Sequence, residues 1–152
     1  MIEMDIPQWA TGTVPQVRTE RLLLTAPNDG DREAIARLAN NINVTRWLRQ
    51  LPHPYTVEDA EFFLRDIVPV QAVWAIRLQW DEAFIGAVGL TPKEERSAEL
   101  GYWLGEPFWG HGYATEAASA VLAVAHGRFG LATIQSGYYK GNEASANVLR
   151  KL

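Results

Sequence analysis

Between Ser97 and His126 the chain runs from a strand-like segment into an Ala-rich helical one, with only a glycine turn between them. Ser97 to Leu104 (SAELGYWL) reads as a strand. Gly105-Glu106-Pro107-Phe108-Trp109-Gly110-His111-Gly112 follows, and a helix is expected from about Gly112 to His126. The first turn of a helix leaves backbone N–H groups unpaired, and the macrodipole places partial positive charge there. Gly110 and Gly112 remove the side chains that would keep a phosphate from those donors, and Thr115 adds a hydroxyl. This describes a pyrophosphate cradle made by backbone, with no need of Lys or Arg. The alternative, a glycine-eased turn with no ligand, stays open on the local pattern alone. A P-loop is excluded, because Gly105-x4-Gly110 is followed by His111 and Gly112 rather than Lys and Ser/Thr. A dinucleotide fingerprint is excluded too, because Thr115 stands where its third glycine belongs.

The rest of the chain supplies a domain around this turn. At 152 residues there is room for one domain. Residues 1–17, with Pro7, Gly12 and Pro15, predict a flexible arm, and 18–152 a single domain. Glu20 to Ala26 reads as a strand, and Pro27-Asn28-Asp29-Gly30 as a turn. Asp31 then caps a helix with Ala34, Ile35, Leu38 and Ala39 on one face. Pro52 and Pro54 limit helix in 40–55, and T-V-E-D at Thr56 opens one carrying Ala60, Phe63, Leu64 and Ile67. Strands are expected at 72–79 and 83–91, joined by Trp80-Asp81-Glu82, with Gly86 and Gly89 marking a bulge. Gly127 and Gly130 end the long helix, 131–139 forms a further strand, and 142–152 begins a last helix. The order β-α-α-β-β-β-α-β-α predicts a mixed α/β domain with a largely antiparallel sheet. Of the six tryptophans, Trp47, Trp74 and Trp103 are expected to fill the core.

Composition narrows the function. A net charge of −4 and the lack of any Lys/Arg block argue against a nucleic-acid binder. With no cysteine there is no disulfide framework, thiolate metal site or cysteine nucleophile, and three scattered histidines do not make a metal site. No segment reads as a secretory signal or a membrane span, so a membrane partner is not expected and a cytoplasmic location requires no further assumption.

Six motifs in order resemble the GNAT superfamily of acyl-CoA-dependent N-acetyltransferases, whose signature is Gln/Arg-x-x-Gly-x-Gly/Ala at such a turn. Trp109, Gly112 and Ala114 occupy the signature positions, and Trp109 departs from Gln/Arg. W-G-x-G-Y-A-T-E-A from Trp109 is similar to the RimJ/RimL-like branch, which modifies protein N-termini. The other matches are T-E-R-L-L-L (19–24), L-P-H-P-Y-T-V-E-D-A (51–60), I-G-A-V-G-L (85–90), A-E-L-G-Y-W-L (98–104) and G-N-E-A-S-A-N-V-L-R-K-L (141–152).

The resemblance implies acetyl-CoA as co-substrate, held between splayed strands at 97–104 and 131–139. The pantetheine arm would pair with backbone near Tyr102, Trp103 and Leu104. The pyrophosphate would sit on the turn made by Trp109, Gly110, His111, Gly112, Tyr113, Ala114 and Thr115. Asn142 would contact the cofactor arm, and Ser145 would protonate the departing thiolate, with Tyr138 and Tyr139 as further candidates. Glu99 matches the strand acid of many members and is the candidate base. Strand alternation puts it on the face opposite Leu100, Tyr102 and Leu104. An α-amine with a pKa near ~8 is already about one-tenth neutral at pH 7, so a modest base suffices. An N–H on the 102–104 strand is the expected oxyanion donor. His53 would line the acceptor pocket, while His126 complements a helix end.

The implied function is acetyl transfer to a primary amine, on a protein N-terminus or a small molecule. An acyl-CoA-binding sensor or scaffold without turnover is the alternative, and the presence of both Glu99 and Ser145 favours the enzyme. In the family the last helix leads into two more strands, and the sequence stops at Leu152. The expected fold therefore lacks those strands, with the 131–139 edge left by truncation or covered by a partner subunit such as a second copy.

Overall fold

The computed structural model describes residues 6–46, 48, 51–94, 96–136 and 143–152, with 143 and 144 as backbone alone. The strands are β1 (Val17–Arg18), β2 (Leu22–Thr25), β3 (Ala72–Leu78), β4 (Phe84–Pro92), β5 (Ser97–Leu104) and β6 (Thr133–Gln135). The α-helices are α1 (Arg32–Ala39), α2 (Ile42–Thr45), α3 (Val57–Phe62), α4 (Tyr113–Gly127) and α5 (Glu143–Lys151). The six strands form one sheet in sequence order. Pairing is antiparallel from β1 to β5, and α4 then crosses over so that β6 returns parallel to β5. This is the mixed α/β architecture the element order predicts.

Strand alternation divides the core into two layers. Trp74, Ile76 and Leu78 of β3 face α4, joining Leu22, Leu24, Val88, Leu100, Ala117, Val121 and Ala125 in one buried cluster. Val73 and Ala75, one residue out of step, face α1 and α3 with Ile35, Leu38, Tyr55, Ala60 and Phe84. Every residue of β3 is buried, which is why it is apolar on both faces apart from Arg77 rather than alternating. The Trp74 indole N–H donates to Pro15 O at 2.8 Å, so the largest buried side chain leaves no orphan donor.

The β3–β4 register passes from Ile76↔Gly86 to Arg77↔Phe84, leaving Ile85 as the extra residue of a bulge. A Cβ on Gly86 would collide with the Trp103 carbonyl oxygen, so the neighbouring strand requires glycine there.

Three features depart from the sequence reading. Residues 9–15 are docked rather than free. Trp9 stacks on Phe129 with ring centroids 5.4 Å apart, and Ala10 and Val14 are buried. Asp31 does not cap α1 with its side chain. Asn28 forms a capping box with Asp31 at the preceding 3-10 turn. The Asp31 carboxylate also takes a buried bidentate pair from Arg77, both bonds at 2.7 Å. The last strand begins at Thr133 rather than 131, because the Leu131 N–H turns back to Ala125 O at 2.9 Å and closes the end of α4. Thr56 and Asp59, by contrast, make the capping box that T-V-E-D suggests. Among the described residues no helix is long and apolar enough to cross a membrane.

Candidate functional site

The turn between β5 and α4 is built on two left-handed glycines, Gly110 at φ 80° and Gly112 at φ 82°. That conformation is open to glycine at little cost and strains other residues. Nothing lies within 4 Å of a Cβ placed on Gly110, and only the Arg21 guanidinium, at 3.4 Å, approaches one on Gly112. The Glu116 N–H donates to Gly112 O at 3.1 Å, so the N–H groups of Tyr113, Ala114 and Thr115 lie ahead of the first helical bond. Among the described residues no backbone partner takes the N–H of Gly110, His111 or Gly112 either. The result is a run of backbone donors at the positive end of a fifteen-residue helix.

The turn is tied to its surroundings at both ends. Before it, the Trp109 indole N–H donates to Leu104 O at 2.8 Å, fastening the loop to the end of β5. Beyond it, Glu116 accepts from Thr19 Oγ1 at 2.5 Å, from Arg21 N at 2.8 Å and from Arg21 Nε at 2.7 Å. Burial pushes the Glu116 carboxyl up, but the Thr19 and Arg21 bonds outweigh it and hold the group below the usual carboxylate range. An arginine from the β1–β2 connection also braces the turn. Arg21 stands beside Gly112, donating from Nη1 to His111 O at 2.8 Å, with its guanidinium 4.6 Å from the Tyr113 ring centroid. The His111 ring also stacks on Tyr113, at 5.4 Å.

Among the described residues, no strand pairs with the β6 side of β5 between Glu99 and this turn. The β5 ladder with β6 ends at Glu99↔Gln135, and Ser136 Oγ donates to Leu100 O at 3.0 Å just beyond. The Gly105 N–H bonds Ile85 O at 2.8 Å, which sets the alternation of the antiparallel β4–β5 ladder. Tyr102 N–H and C=O and Leu104 N–H then point to the β6 side, while the Trp103 backbone points into β4. The Trp103 side chain packs with Phe84 in the α1/α3 layer, at a centroid distance of 5.9 Å. Thus Tyr102 and Leu104 fit the expected backbone contacts, and Trp103 serves the core.

On the α4 face, the half-buried Tyr102 hydroxyl lies 2.8 Å from Ser145 Oγ on α5. Burial raises the phenol's pKa, and the Ser145 bond offsets part of that. Glu99 leaves β5 on the opposite face, half exposed and 3.1 Å from Lys93 Nζ. The two candidate proton-transfer groups thus lie on opposite sides of one strand. Tyr138, Tyr139, Asn142 and Trp47 lie outside the described residues.

The acetyltransferase (GNAT) domain matches residues 21–152, which span β2 to β6, the turn and α5. The chain belongs to the GNAT acetyltransferase family. It is 29% identical over 151 residues to YoaA, an uncharacterised N-acetyltransferase of Bacillus subtilis (strain 168), covering 91% of this chain and 81% of that one. A GNAT-family acetyltransferase from Bacillus anthracis superposes with a TM-score of 0.83 at 22% identity, covering 90% of this chain and 81% of that one. A ribosomal-protein-S5-alanine acetyltransferase from Vibrio fischeri superposes at 0.73 with 20% identity, covering 91% and 81%. Membership supports acetyl transfer as the general activity, and acetyl-CoA is the family's usual donor.

The GNAT turn also draws on residues that sequence reading did not assign. Thr19 and Arg21 lie in T-E-R-L-L-L and Glu116 in A-T-E-A, so both motifs were visible. Their pairing joins positions 95 apart and no periodicity reports it. Of the histidines, His111 bonds Trp109 O through Nδ1 at 2.8 Å, and His126 Nδ1 bonds Leu131 O at 2.8 Å, which engages one ring nitrogen of each in loop structure. Among the described residues no group of three His, Cys, Asp or Glu side chains is placed to hold a metal.

Proposed function

We propose that this protein is an acetyl-CoA-dependent N-acetyltransferase of the RimJ/RimL-like kind, acting on a primary amine held beside β5. The observation that carries the reading is the pair of left-handed glycines opening onto the unpaired N–H groups at the start of α4, a space that a Cβ on either would narrow. Acetyl-CoA, when bound, supplies an acetyl group already activated as a thioester. The chain's own part is orientation and proton movement. Gly110 to Thr115 offer N–H donors to the pyrophosphate, and Tyr102 and Leu104 offer ladder groups to the pantetheine arm. Asn142 is the proposed further contact of that arm.

Glu99 takes the proton of the attacking amine, directly or through a water, from the face it shares with the α1/α3 layer. Lys93 Nζ, 3.1 Å away, orients the carboxylate. Ser145, on the other face, gives a proton to the departing sulfur, with Tyr139 a second donor. The Tyr102 hydroxyl shares a hydrogen bond with Ser145 Oγ at 2.8 Å, which orients the serine. A cytoplasmic enzyme acting on peptide N-termini fits these parts, because an α-amine is partly neutral near pH 7 and asks little of an exposed base. The similarity in fold to a ribosomal-protein-S5-alanine acetyltransferase makes such peptides the first acceptors to try.

The test is release of free CoA thiol from acetyl-CoA with a panel of Ala- and Ser-initiated peptides, amino acids and polyamines. At least one acceptor should support turnover. Glu99→Gln should slow it roughly tenfold to a hundredfold at pH 7 without changing acetyl-CoA affinity. Acetyl-CoA binding without thiol release from any acceptor would establish a sensor in place of an enzyme. A wild-type rate in Glu99→Gln would remove Glu99 from the mechanism.

A further inference from the structure

The Arg21 guanidinium touches the phosphate turn from behind at three places. Nε reaches Glu116 Oε1 at 2.7 Å in the first turn of α4, Nη1 reaches His111 O at 2.8 Å, and the planar group covers Tyr113 at 4.6 Å. Nη2 is the atom nearest the place a Gly112 Cβ would take, at 3.4 Å. One side chain therefore spans Gly112, gripping the residue before it and the helix after it. Its own anchor is firm. Glu116 Oε2 is held by Thr19 Oγ1 and the Arg21 N–H, and Arg21 O accepts from the Gln79 N–H at 3.0 Å, where β3 runs into its hairpin. The Glu116 side chain is 17% exposed and that of Arg21 39%.

Glycines at positive φ give the turn its shape and also leave it free to take others. Among the described residues the other side-chain ties of the 110–112 segment, His111 Nδ1 to Trp109 O and Phe108 O and the His111 ring on Tyr113, are local to the turn. The long-range restraint on the turn comes from Arg21. A lysine could meet Glu116 but could not also fork to His111 O and lie flat on Tyr113.

We propose that Arg21 is the positioning residue that holds the 110–115 turn in its donor-forward shape, and that it thereby sets the affinity for the pyrophosphate of acetyl-CoA. The inference rests on the acetyl-CoA reading above and deepens it. Glu116 is the fixed post of this clamp. Its place in the first helical turn suits an anion, and it balances the charge that a guanidinium brings to the positive end of a helix.

The experiment compares two acetyl donors, acetyl-CoA and S-acetylpantetheine, which lacks the pyrophosphate. In Arg21→Met the KM for acetyl-CoA should rise at least tenfold with kcat close to wild type, and kcat/KM for S-acetylpantetheine should not change. Arg21→Lys should recover less than half of the loss on a logarithmic scale. It also carries the test by itself if Arg21→Met does not fold, because it keeps the ion pair with Glu116. Equal losses with both donors would make Arg21 a plain structural residue and overturn the proposal, as would an unchanged KM for acetyl-CoA. If wild-type protein uses both donors equally well, the pyrophosphate reading itself fails and takes the clamp with it.

Discussion

The turn at 105–116 and the edge of β5 beyond Glu99 lie side by side, yet they are made in opposite ways. The turn is local in origin. Gly110 and Gly112 adopt a backbone shape their neighbours could not, and α4 starts immediately after them. The edge is made by distant pieces. Among the described residues β6 pairs with β5 as far as Glu99↔Gln135, and a side-chain pair beside that edge, Tyr102 with Ser145, joins strand to helix across 43 positions. A site built from local backbone constraints can be lost by one substitution. A site built from converging elements degrades by steps.

Gly112→Trp should therefore show the largest effect. It puts a bulky side chain at φ 82° and into the space before α4, and the Kd for acetyl-CoA measured by calorimetry should rise well over tenfold. Strain at that φ should also cost about 1–3 kcal/mol in unfolding free energy. Unchanged affinity would mean that the turn is only a connection, and the contrast between the two regions would collapse.

The edge should respond more gently and in kcat. Ser145→Ala should lower kcat by roughly a hundredfold if the serine is the proton donor, with little change in the KM for acetyl-CoA. Tyr102→Phe should lower kcat by less, about tenfold, since it leaves the serine in place but removes the phenol bonded to it. The double variant should be no slower than Ser145→Ala alone, because the tyrosine acts through the serine. Additive losses would show that Tyr102 touches the reaction by another path.

The same contrast explains what could be read from the chain before any coordinates. The strand-turn-helix at 97–126, the T-V-E-D capping box, the bulge beside Gly86 and the buried β3 all follow from short-range rules, and all are present. What could not be read depends on contacts between remote segments. Asp31 looks like a cap because Asx residues before helices usually are, but Arg77, 46 positions away, draws its carboxylate into the core layer. The stretch 1–17 reads as free because it lacks periodicity, yet Trp9 stacks on Phe129 and Ala10 and Val14 are buried. Trp109 departs from the Gln/Arg of the family signature, and its bond to Leu104 O shows a role that a one-dimensional motif does not express. Arg21 and Glu116 belong to the same class. Each sits in a recognisable motif, and only the fold shows that the two motifs meet.

The central claim is that the backbone of 110–115 receives the pyrophosphate, and amide chemical shifts report on it most directly. Isotope-labelled protein would be titrated with acetyl-CoA and, separately, with S-acetylpantetheine. Binding at the turn predicts that the amide signals of Gly110, His111, Gly112, Tyr113, Ala114 and Thr115 move with acetyl-CoA and stay in place with S-acetylpantetheine, while Tyr102 and Leu104 respond to both. Saturable acetyl-CoA binding that leaves the six turn amides unmoved would contradict the claim.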